Sequence, residues 1–270
     1  MPELPEVETS CRGIAPHIEG ETISSIIVRN RKLRWPVSMD VDEQLSGAKV
    51  TSVARRAKYL LINTSNGTAI MHLGMSGSVY IVDVGTAAGV HDHVDIEFAH
   101  GKALRLTDPR RFGSLHWSED PLQHELIREL GPEPLSDGFD GLYLWSKSRG
   151  RRVAVKQFIM NAHIVVGVGN IYASESLFVA GIHPKRAAGR IALPRYEKLA
   201  NVIKSVLERA IKAGGTTLRD FYGSDGQAGY FSQQLEVYDR EDEECRVCST
   251  PIRSIVQGQR STYYCKVCQR

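Results

Sequence analysis

Residues 59–72 read YLLINTSNGTAIMH, and this stretch indicates how the first half of the chain folds. Its two ends, Tyr59–Asn63 and Ala69–His72, are short and apolar, and Asn66-Gly67 between them is a strong signal for the tight turn of a β-hairpin. Similar short segments occur at Ile23–Val28, Lys49–Val53, Val79–Val82, Val94–Phe98 and Ala103–Thr107. Because no helical pattern separates them, the sequence predicts an antiparallel β-sandwich, preceded by a short helix from Pro5 to about Ala15.

In the second half of the chain, apolar residues recur at the spacing of an α-helix. Tyr196–Ala213 has apolar residues at intervals of three and four positions, which predicts a buried helix. A second helical pattern covers Ile171–Val179. The proline-rich residues 118–140 predict a connector with a short helix over Leu122–Leu130, and the glycine-rich residues 214–230 predict a mobile surface loop with a functional role.

Composition and charge are typical of a globular protein that acts on a polyanion. Hydrophobic residues make up 42% of the chain and charged residues 24%, which excludes a wholly disordered protein. No apolar run approaches the roughly 18 residues of a membrane span, and the acidic, proline-interrupted start is unlike a signal peptide, so we expect a cytoplasmic protein. The net charge is only +3, yet residues 147–213 hold thirteen Lys or Arg against three Glu. This basic stretch favours contact with nucleic acid, and a solvated helical surface is the alternative.

The cysteines predict a structural metal site near the end of the chain. Cys245 and Cys248 form one C-x2-C pair, Cys265 and Cys268 form another, and sixteen residues separate the pairs. Four thiolates at this spacing suit one tetrahedral zinc ion with no open position for chemistry. Two disulfides are the alternative. Cys11 is left over, and we expect it to be a buried, inert thiol.

Five further segments carry long motifs: residues 2–9 (PELPEVET), 56–59 (RAKY), 72–77 (HLGMSG), 108–113 (DPRRFG) and 166–175 (VGVGNIYASE). Together with the cysteine pairs, they closely resemble the bacterial formamidopyrimidine-DNA glycosylases, which are repair enzymes for oxidised purines. The resemblance extends from residue 2 to residue 270.

The resemblance implies an α+β protein of three parts. Residues 2–131 would form the catalytic antiparallel β-sandwich with its leading helix, and residues 132–235 a helical DNA-binding domain with a helix–two-turns–helix motif and a lesion-recognition loop. Residues 236–270 would form a four-cysteine zinc finger with a zinc-bound β-hairpin. The expected cofactor is one structural zinc ion, and the expected partner of the monomer is double-stranded DNA containing oxidised bases, without any membrane.

Pro2 becomes a candidate nucleophile if Met1 is removed, because its secondary amine is then the chain terminus. An α-amine with a pKa of about 7.7–8.0 is far more often neutral at physiological pH than a lysine with a pKa of about 10.4. After attack on an aldehyde-level carbon, proline forms only an iminium, which is a cation and an electron sink. From the residues alone, a processing signal is the favoured interpretation of Pro2, and only the resemblance favours catalysis.

The resemblance assigns a role to each further catalytic residue. Glu3 would be the acid that helps to open the sugar ring, and Lys58 would donate a proton during β-elimination. Arg260, expected at the hairpin tip between the two cysteine pairs, matches the residue assigned to δ-elimination. Since a guanidinium is a poor proton donor, we expect Arg260 to bind phosphate.

DNA contacts follow from the same resemblance. Met75, Arg110 and Phe112, which we call the void-filling residues, would occupy the gap that a flipped nucleotide leaves. The glycines beside Met75 and Phe112 predict that both lie at exposed turns rather than in the core. The remaining DNA contacts fall on His91, Arg110, Asn170 and Arg151, with Arg152 as the alternative to Arg151.

Three other functions compete with a purine-specific glycosylase. An enzyme like endonuclease VIII would prefer oxidised pyrimidines, but the void-filling residues and the PELPE start favour the purine branch. A catalytically inactive DNA-binding homologue would have no reason to retain Pro2, Glu3 and Lys58. A zinc-finger transcription regulator would be expected to carry repeated fingers or a dimerising segment, and the sequence has neither.

Overall fold

The computed structural model of the chain describes residues 2–216 and 231–270. The chain divides into two compact units, residues 1–128 with 213–232 and residues 129–212 with 233–270. The expectations for Met1 and for most of the glycine-rich loop, residues 217–230, lie outside the described residues. The division into functional domains at residues 131 and 235 stays a prediction.

The first unit is a β-sandwich with a leading helix, as the sequence predicts. Its helices are α1 (Leu4–Ile18) and α2 (Val41–Leu45). Its described strands are β1 (Ile23–Val28), β2 (Val50–Arg56), β3 (Tyr59–Thr64), β4 (Gly67–His72), β5 (Ser78–Asp83), β6 (Asp92–Phe98), β7 (Lys102–Thr107) and β8 (Ser114–Ser118). One four-stranded antiparallel sheet has the order β1-β6-β7-β5, and the other has the order β2-β3-β4-β8.

A single apolar core lies between the two sheets and under α1. It is formed by buried residues that include Ile14 and Ile18 of α1, Leu60 of β3 and Leu104 of β7. Helix α1 packs on β2 and β5, and the central strands β4, β6 and β7 each bury four consecutive residues, so both faces of these strands are covered along that stretch.

Several local predictions are corrected by the structure. Helix α1 continues past Ala15 to Ile18 and contains Pro16, because burial of Ile18 in the core outweighs the one missing N–H near a helix end. The hairpin turn falls on Ser65-Asn66, and Gly67 is already the first residue of β4. Residues 122–130 form turns instead of a helix, since Ile127 is the only residue among them that is buried.

The second unit is helical and ends in a β-hairpin. Its helices are α3 (Gly141–Ser148), α4 (Val155–Ile159), α5 (Asn170–Ala180) and α6 (Leu193–Lys212), and its strands are β9 (Arg253–Gln257) and β10 (Arg260–Tyr264). Helix α6 packs against α3 and α5 through its buried stripe, which confirms the helical period read from the sequence. The segment from α4 through two turns to α5 is the expected helix–two-turns–helix motif. Among the described residues, no helix is both long and apolar enough to cross a membrane.

A buried ion pair crosses one sheet of the sandwich. The guanidinium of Arg105 donates two hydrogen bonds of 2.8 Å to the carboxylate of Asp95, and Arg29 donates a third of 2.6 Å. Burial alone would raise the pKa of Asp95, but its hydrogen bonds and the charges of the two arginines outweigh burial and lower it. Arg105 also donates to the carbonyls of Thr86 and Ala87, so it holds the loop before β6.

Replacement of Arg105 by Met should lower the free energy of unfolding by about 3 kcal/mol, because it leaves a buried carboxylate with one arginine fewer. Urea denaturation at pH 7 measures the loss. The difference in the free energy of unfolding between wild type and variant should become smaller as the pH falls below about 4. The reason is that Asp95, whose pKa is lowered in the folded state, stabilises the fold only while it is ionised.

Lys102→Met is the matched control for that variant. Lys102 lies on the same strand and pairs with Asp83 at 2.7 Å, but both side chains are exposed, so a loss below about 1 kcal/mol is expected. Equal losses for the two variants would contradict a special role for the buried pair.

Candidate active site and nucleic-acid interface

The start of α1 places Pro2 and Glu3 in a buried position. Pro2 is buried, and Glu3 is the N-cap residue of α1 with 2% of its surface exposed. The backbone N–H of Glu3 donates to Oε2 of Glu6 at 2.8 Å, in the reciprocal arrangement of a capping box. The proline before this cap is therefore held by a rigid first helical turn.

Glu6 also contacts the base of the glycine-rich loop. Its Oε1 accepts a 2.8 Å hydrogen bond from the backbone N–H of Thr216, which is buried. The N–H of Phe231 donates to the carbonyl of Gly215, which closes the base of the loop. One carboxylate thus connects the residue after Pro2 with the point where residues 217–230 begin.

Lys58 lies at the turn between β2 and β3. Ala57 before it has a φ of 56°, a left-handed conformation that is uncommon for a residue with a side chain. Arg55 holds this turn from two sides, because it donates to the carbonyl of Ala57 and to the carboxylate of Glu8 on α1, each at 2.9 Å. The turn that carries Lys58 is therefore tied to the same helix that begins at Pro2 and Glu3.

Two of the void-filling residues are exposed apolar side chains on neighbouring turns. Met75 is 38% exposed in the turn after β4, and Phe112 is 41% exposed in the turn before β8. Arg110 is also exposed, and its guanidinium donates 3.3 Å hydrogen bonds to Oγ of Ser76 and to the carbonyl of Met75. The structure thus brings all three residues together, with the exposed turns that their glycine neighbours predicted.

A cavity of about 280 Å³ lies behind Met75 and Phe112 and is lined by Arg34, Trp35, Tyr59, His72, Gly74, Met75, Phe112, Ser114 and Leu126. Burial, followed by the charges of Lys58 and Arg34, lowers the pKa of His72 to about 4, so its ring is neutral at physiological pH. Nδ1 of His72 accepts the N–H of Gly74 at 2.9 Å. The neutral ring therefore accepts a hydrogen bond that holds the turn carrying Met75.

The remaining predicted DNA contacts lie on both units. His91 is exposed in the turn before β6, whereas its neighbour His93 is buried. In the second unit, Arg151 and Arg152 are both exposed after α3, so the structure does not choose between them. Asn170 is the first residue of α5, and Arg260 is the exposed first residue of β10, after a turn with positive φ at Gly258 and Gln259.

Lys156 joins the helix–two-turns–helix motif to the hairpin, a role that sequence reasoning missed. Only 1% of its surface is exposed, and its Nζ donates to Oδ1 of Asn170 at 2.7 Å and to Oγ1 of Thr262 at 2.8 Å. Asn170 also donates to the carbonyl of Ser261 at 3.0 Å. A lysine inside the apolar run of α4 was the available signal.

Glu175 holds the segment that leads to the zinc site, and it was not singled out from the sequence either. It is buried in α5 and accepts backbone N–H groups of Glu236, Val237 and Tyr238 at 2.8–3.0 Å. Burial raises the pKa of Glu175, although the three N–H donors act in the opposite direction. Glu175 is the one charged residue of α5, and this was the signal for its role.

The four expected cysteines form a metal site at the base of the hairpin. Their Sγ atoms all lie within 4.8 Å of one another. The Sγ atoms are 3.9 Å apart in Cys245–Cys268 and 3.4 Å apart in Cys248–Cys265, which is too long for disulfides. Ligands 2.3 Å from one tetrahedral zinc ion would be about 3.8 Å apart, so the geometry fits. Hydrogen bonds with Thr250 lower the pKa of Cys248 to about 6, whereas burial raises the pKa of Cys265 and Cys268, an effect that a bound cation would offset.

The predicted residues divide between the two units. The first unit contains Pro2, Glu3, Lys58, Met75, His91, Arg110 and Phe112. The second unit contains Arg151, Asn170, Arg260 and the four cysteines, which hold one structural zinc ion.

Comparison with known proteins matches the whole chain. Residues 1–115 match the formamidopyrimidine-DNA glycosylase N-terminal domain, and residues 130–222 match the H2TH domain of the same enzymes. Residues 242–270 match the zinc finger found in FPG and IleRS.

Individual relatives agree with these matches. The formamidopyrimidine-DNA glycosylases of Pseudomonas fluorescens SBW25 and Pseudomonas aeruginosa LESB58 are each 60% identical over 270 residues, with full coverage of both chains. A mutant of the Lactococcus lactis Fpg, solved with Fapy-dG containing DNA, superposes with a TM-score of 0.92 at 31% identity over 100% of both chains. The Thermus thermophilus protein superposes with a TM-score of 0.90 at 31% identity, covering 99% of this chain and 98% of its own. The chain therefore belongs to the formamidopyrimidine-DNA glycosylase family.

Proposed function

We propose that this protein is a bifunctional DNA repair enzyme that excises oxidised purines, 8-oxoguanine and formamidopyrimidines, from duplex DNA and then cleaves the abasic site. Glycosylase action on damaged DNA is supported by full-length identity to glycosylases and by the Lactococcus lactis relative, which was solved with Fapy-dG and with abasic-site DNA. The observation that carries the proposal is the buried Pro2-Glu3 start of α1, held by Glu6 beside the base of the glycine-rich loop.

Pro2 supplies the nucleophile after Met1 is removed. The lone pair of its neutral amine forms a bond to C1′ of the damaged nucleotide, and the glycosidic bond breaks with its electron pair leaving on the base. The proline nitrogen gives up its proton, which the departing base takes up, and cleavage of the C1′–O4′ bond then gives an iminium between proline and the sugar. Glu3 is adjacent in sequence and buried, and it donates the proton that the ring oxygen O4′ takes up.

The iminium makes the C2′ proton acidic, and loss of that proton expels the 3′ phosphate by β-elimination. Lys58, on a turn tied to α1 through Arg55 and Glu8, is the proton donor in this step. Expulsion of the 5′ phosphate by δ-elimination completes the cleavage. Arg260 serves that step by binding phosphate, since its guanidinium keeps its charge.

Extrusion of the damaged nucleotide requires contacts of two kinds. Met75, Phe112 and Arg110 occupy the gap in the duplex, the first two as apolar wedges and the third as a donor to the orphaned base. His91, Asn170 and Arg151 bind phosphates, which positions the protein without reading sequence. The exposed turns of the void-filling residues support this assignment.

Borohydride trapping tests the nucleophile. The mature protein is incubated with duplex DNA carrying 8-oxoguanine opposite cytosine, borohydride is added, and the adduct is mapped by mass spectrometry. We expect one adduct at Pro2, because borohydride reduces the iminium to a stable amine. An adduct at a lysine would contradict the assigned nucleophile, and reaction only with an oxidised-pyrimidine duplex would favour an enzyme like endonuclease VIII.

Glu3→Gln should suppress base excision by about 100-fold or more while it retains most cleavage of a preformed abasic site, whose sugar ring is already able to open. The measurement is the ratio of single-turnover rates on the two substrates. Glu43→Gln, at an exposed position of α2, is the control and should leave both rates unchanged. Equal loss of both activities in Glu3→Gln would reject the role of Glu3.

Cys265→Ser should reduce the zinc content from one ion per chain to none and weaken DNA binding by about tenfold or more, because the hairpin loses its support and its basic side chains lose their placement. Zinc is measured by atomic emission and affinity by fluorescence anisotropy. Cys11→Ser replaces a buried cysteine outside the cluster and should change neither quantity. Unchanged DNA affinity in Cys265→Ser would contradict placement of the hairpin on DNA.

A further inference from the structure

Asp108 has no role in the catalytic scheme, yet the first unit arranges both wedge-bearing turns around it. Asp108 directly follows β7 as the first residue of the DPRRFG turn, and its side chain is fully buried, with 0% exposure. Asp108 Oδ2 accepts the N–H of Gly113 at 2.7 Å, and Oδ1 accepts the N–H of Arg110 at 3.3 Å. The carboxylate thus closes its own turn around Phe112.

The same carboxylate reaches the other turn. Oγ of Ser76, the neighbour of Met75, donates to Oδ1 of Asp108 at 3.1 Å. Ser76 Oγ in turn accepts Nε of Arg110 at 3.3 Å. One buried side chain therefore connects the turns that carry Met75, Arg110 and Phe112.

The backbones of the two turns are in direct contact at Gly74. A Cβ atom on Gly74 would lie 2.4 Å from the carbonyl carbon of Phe112 and 2.5 Å from the nitrogen of Gly113, and the residue has a φ of +65°. Only glycine fits this approach. The two turns therefore pack as one body, with the carboxylate of Asp108 behind them.

The main chain of Asp108 also connects this body to the predicted phosphate contact. Its N–H donates to the carbonyl of His91 at 2.9 Å, and its carbonyl accepts Nε2 of the buried His93 at 2.8 Å. Asp108 consequently fixes the position of the turn before β6 relative to the two turns that carry Met75 and Phe112.

We propose that Asp108 is a positioning residue for base extrusion, whose buried carboxylate holds the turns of Met75 and Phe112 as one rigid support. A side chain that enters a base stack must resist the force with which the stacked bases close. A turn that deforms more easily than the stack opens would move aside and leave the nucleotide in the duplex. This inference rests on the void-filling role given under the proposed function.

Asp108→Ala tests the inference through two rates that a general loss of stability would lower together. Excision of 8-oxoguanine opposite cytosine requires extrusion of a stacked, paired base, whereas cleavage of a preformed abasic site has no base to extrude. We expect excision to fall on the order of 100-fold and abasic-site cleavage by less than about threefold. Stopped-flow fluorescence of 2-aminopurine beside the lesion should show the same slowing of the opening step.

Two milder variants and one control complete the test. Asp108→Asn retains an oxygen for the N–H of Gly113 and should recover part of the excision rate. Ser76→Ala removes one connection between the turns and should slow excision about tenfold without slowing abasic-site cleavage. This variant tests the inference independently if Asp108→Ala does not fold. Asp95→Asn removes an equally buried carboxylate whose partners are arginines, so it should lower the melting temperature without changing the ratio of the two rates.

The outcomes separate the inference from the proposed function. A wild-type protein that leaves 8-oxoguanine in the duplex overturns the proposed function and the inference with it. If the wild type excises 8-oxoguanine, the proposed function stands and the variants decide the inference. It is overturned if Asp108→Ala and Ser76→Ala open the duplex at the wild-type rate, or if they lose excision and abasic-site cleavage equally.

Discussion

Buried carboxylates that accept backbone N–H groups determine where the functional loops of this protein lie. Glu6 accepts the N–H groups of Glu3 and Thr216, and so joins the start of α1 to the base of the glycine-rich loop. Asp108 does the same for the turn of Phe112, and Glu175 for the segment that leads into the zinc site. In each case the acceptor lies on or beside a regular element and the donors lie on a loop. The rigid element therefore orients the loop.

The partners of a buried carboxylate decide its electrostatic state. Glu175 is surrounded by neutral N–H dipoles, and burial raises its pKa in spite of three hydrogen bonds. Asp95 is equally buried, but two arginines lower its pKa. A backbone N–H donor thus fixes the orientation of the loop that carries it relative to the carboxylate. A guanidinium group adds a positive charge that stabilises the ionised carboxylate. The two arginines at Asp95 therefore stabilise a sheet, whereas the backbone donors at Glu175 place a loop.

Zinc performs the equivalent task where the apolar core is small. The cluster around the cysteines contains few buried apolar residues, among them Phe178, Val237 and Ile252, and the hairpin has strands of only five residues. Two short strands are marginal by themselves, so the metal and the buried Lys156 together support the turn that exposes Arg260. An exposed arginine on a rigid hairpin suits a phosphate ligand better than the same residue on a long loop.

The sequence by itself determined the features that local patterns encode. Short apolar segments and turn signals marked the strands of the sandwich, helical periodicity marked α6, and the spacing of two cysteine pairs marked the metal site, since each depends on residues close together in the chain. The glycines beside Met75 likewise predicted an exposed turn. Only the tertiary structure decided which polar side chains are buried and what they contact. Asp108 bonds to a residue 32 positions away and Lys156 to one 106 positions away, and β8 pairs with β4 although three strands of the other sheet lie between them in the chain. Such contacts have no local signature, because they exist only after burial excludes water and leaves each carboxylate or ammonium group with the few donors and acceptors that folding brings within reach.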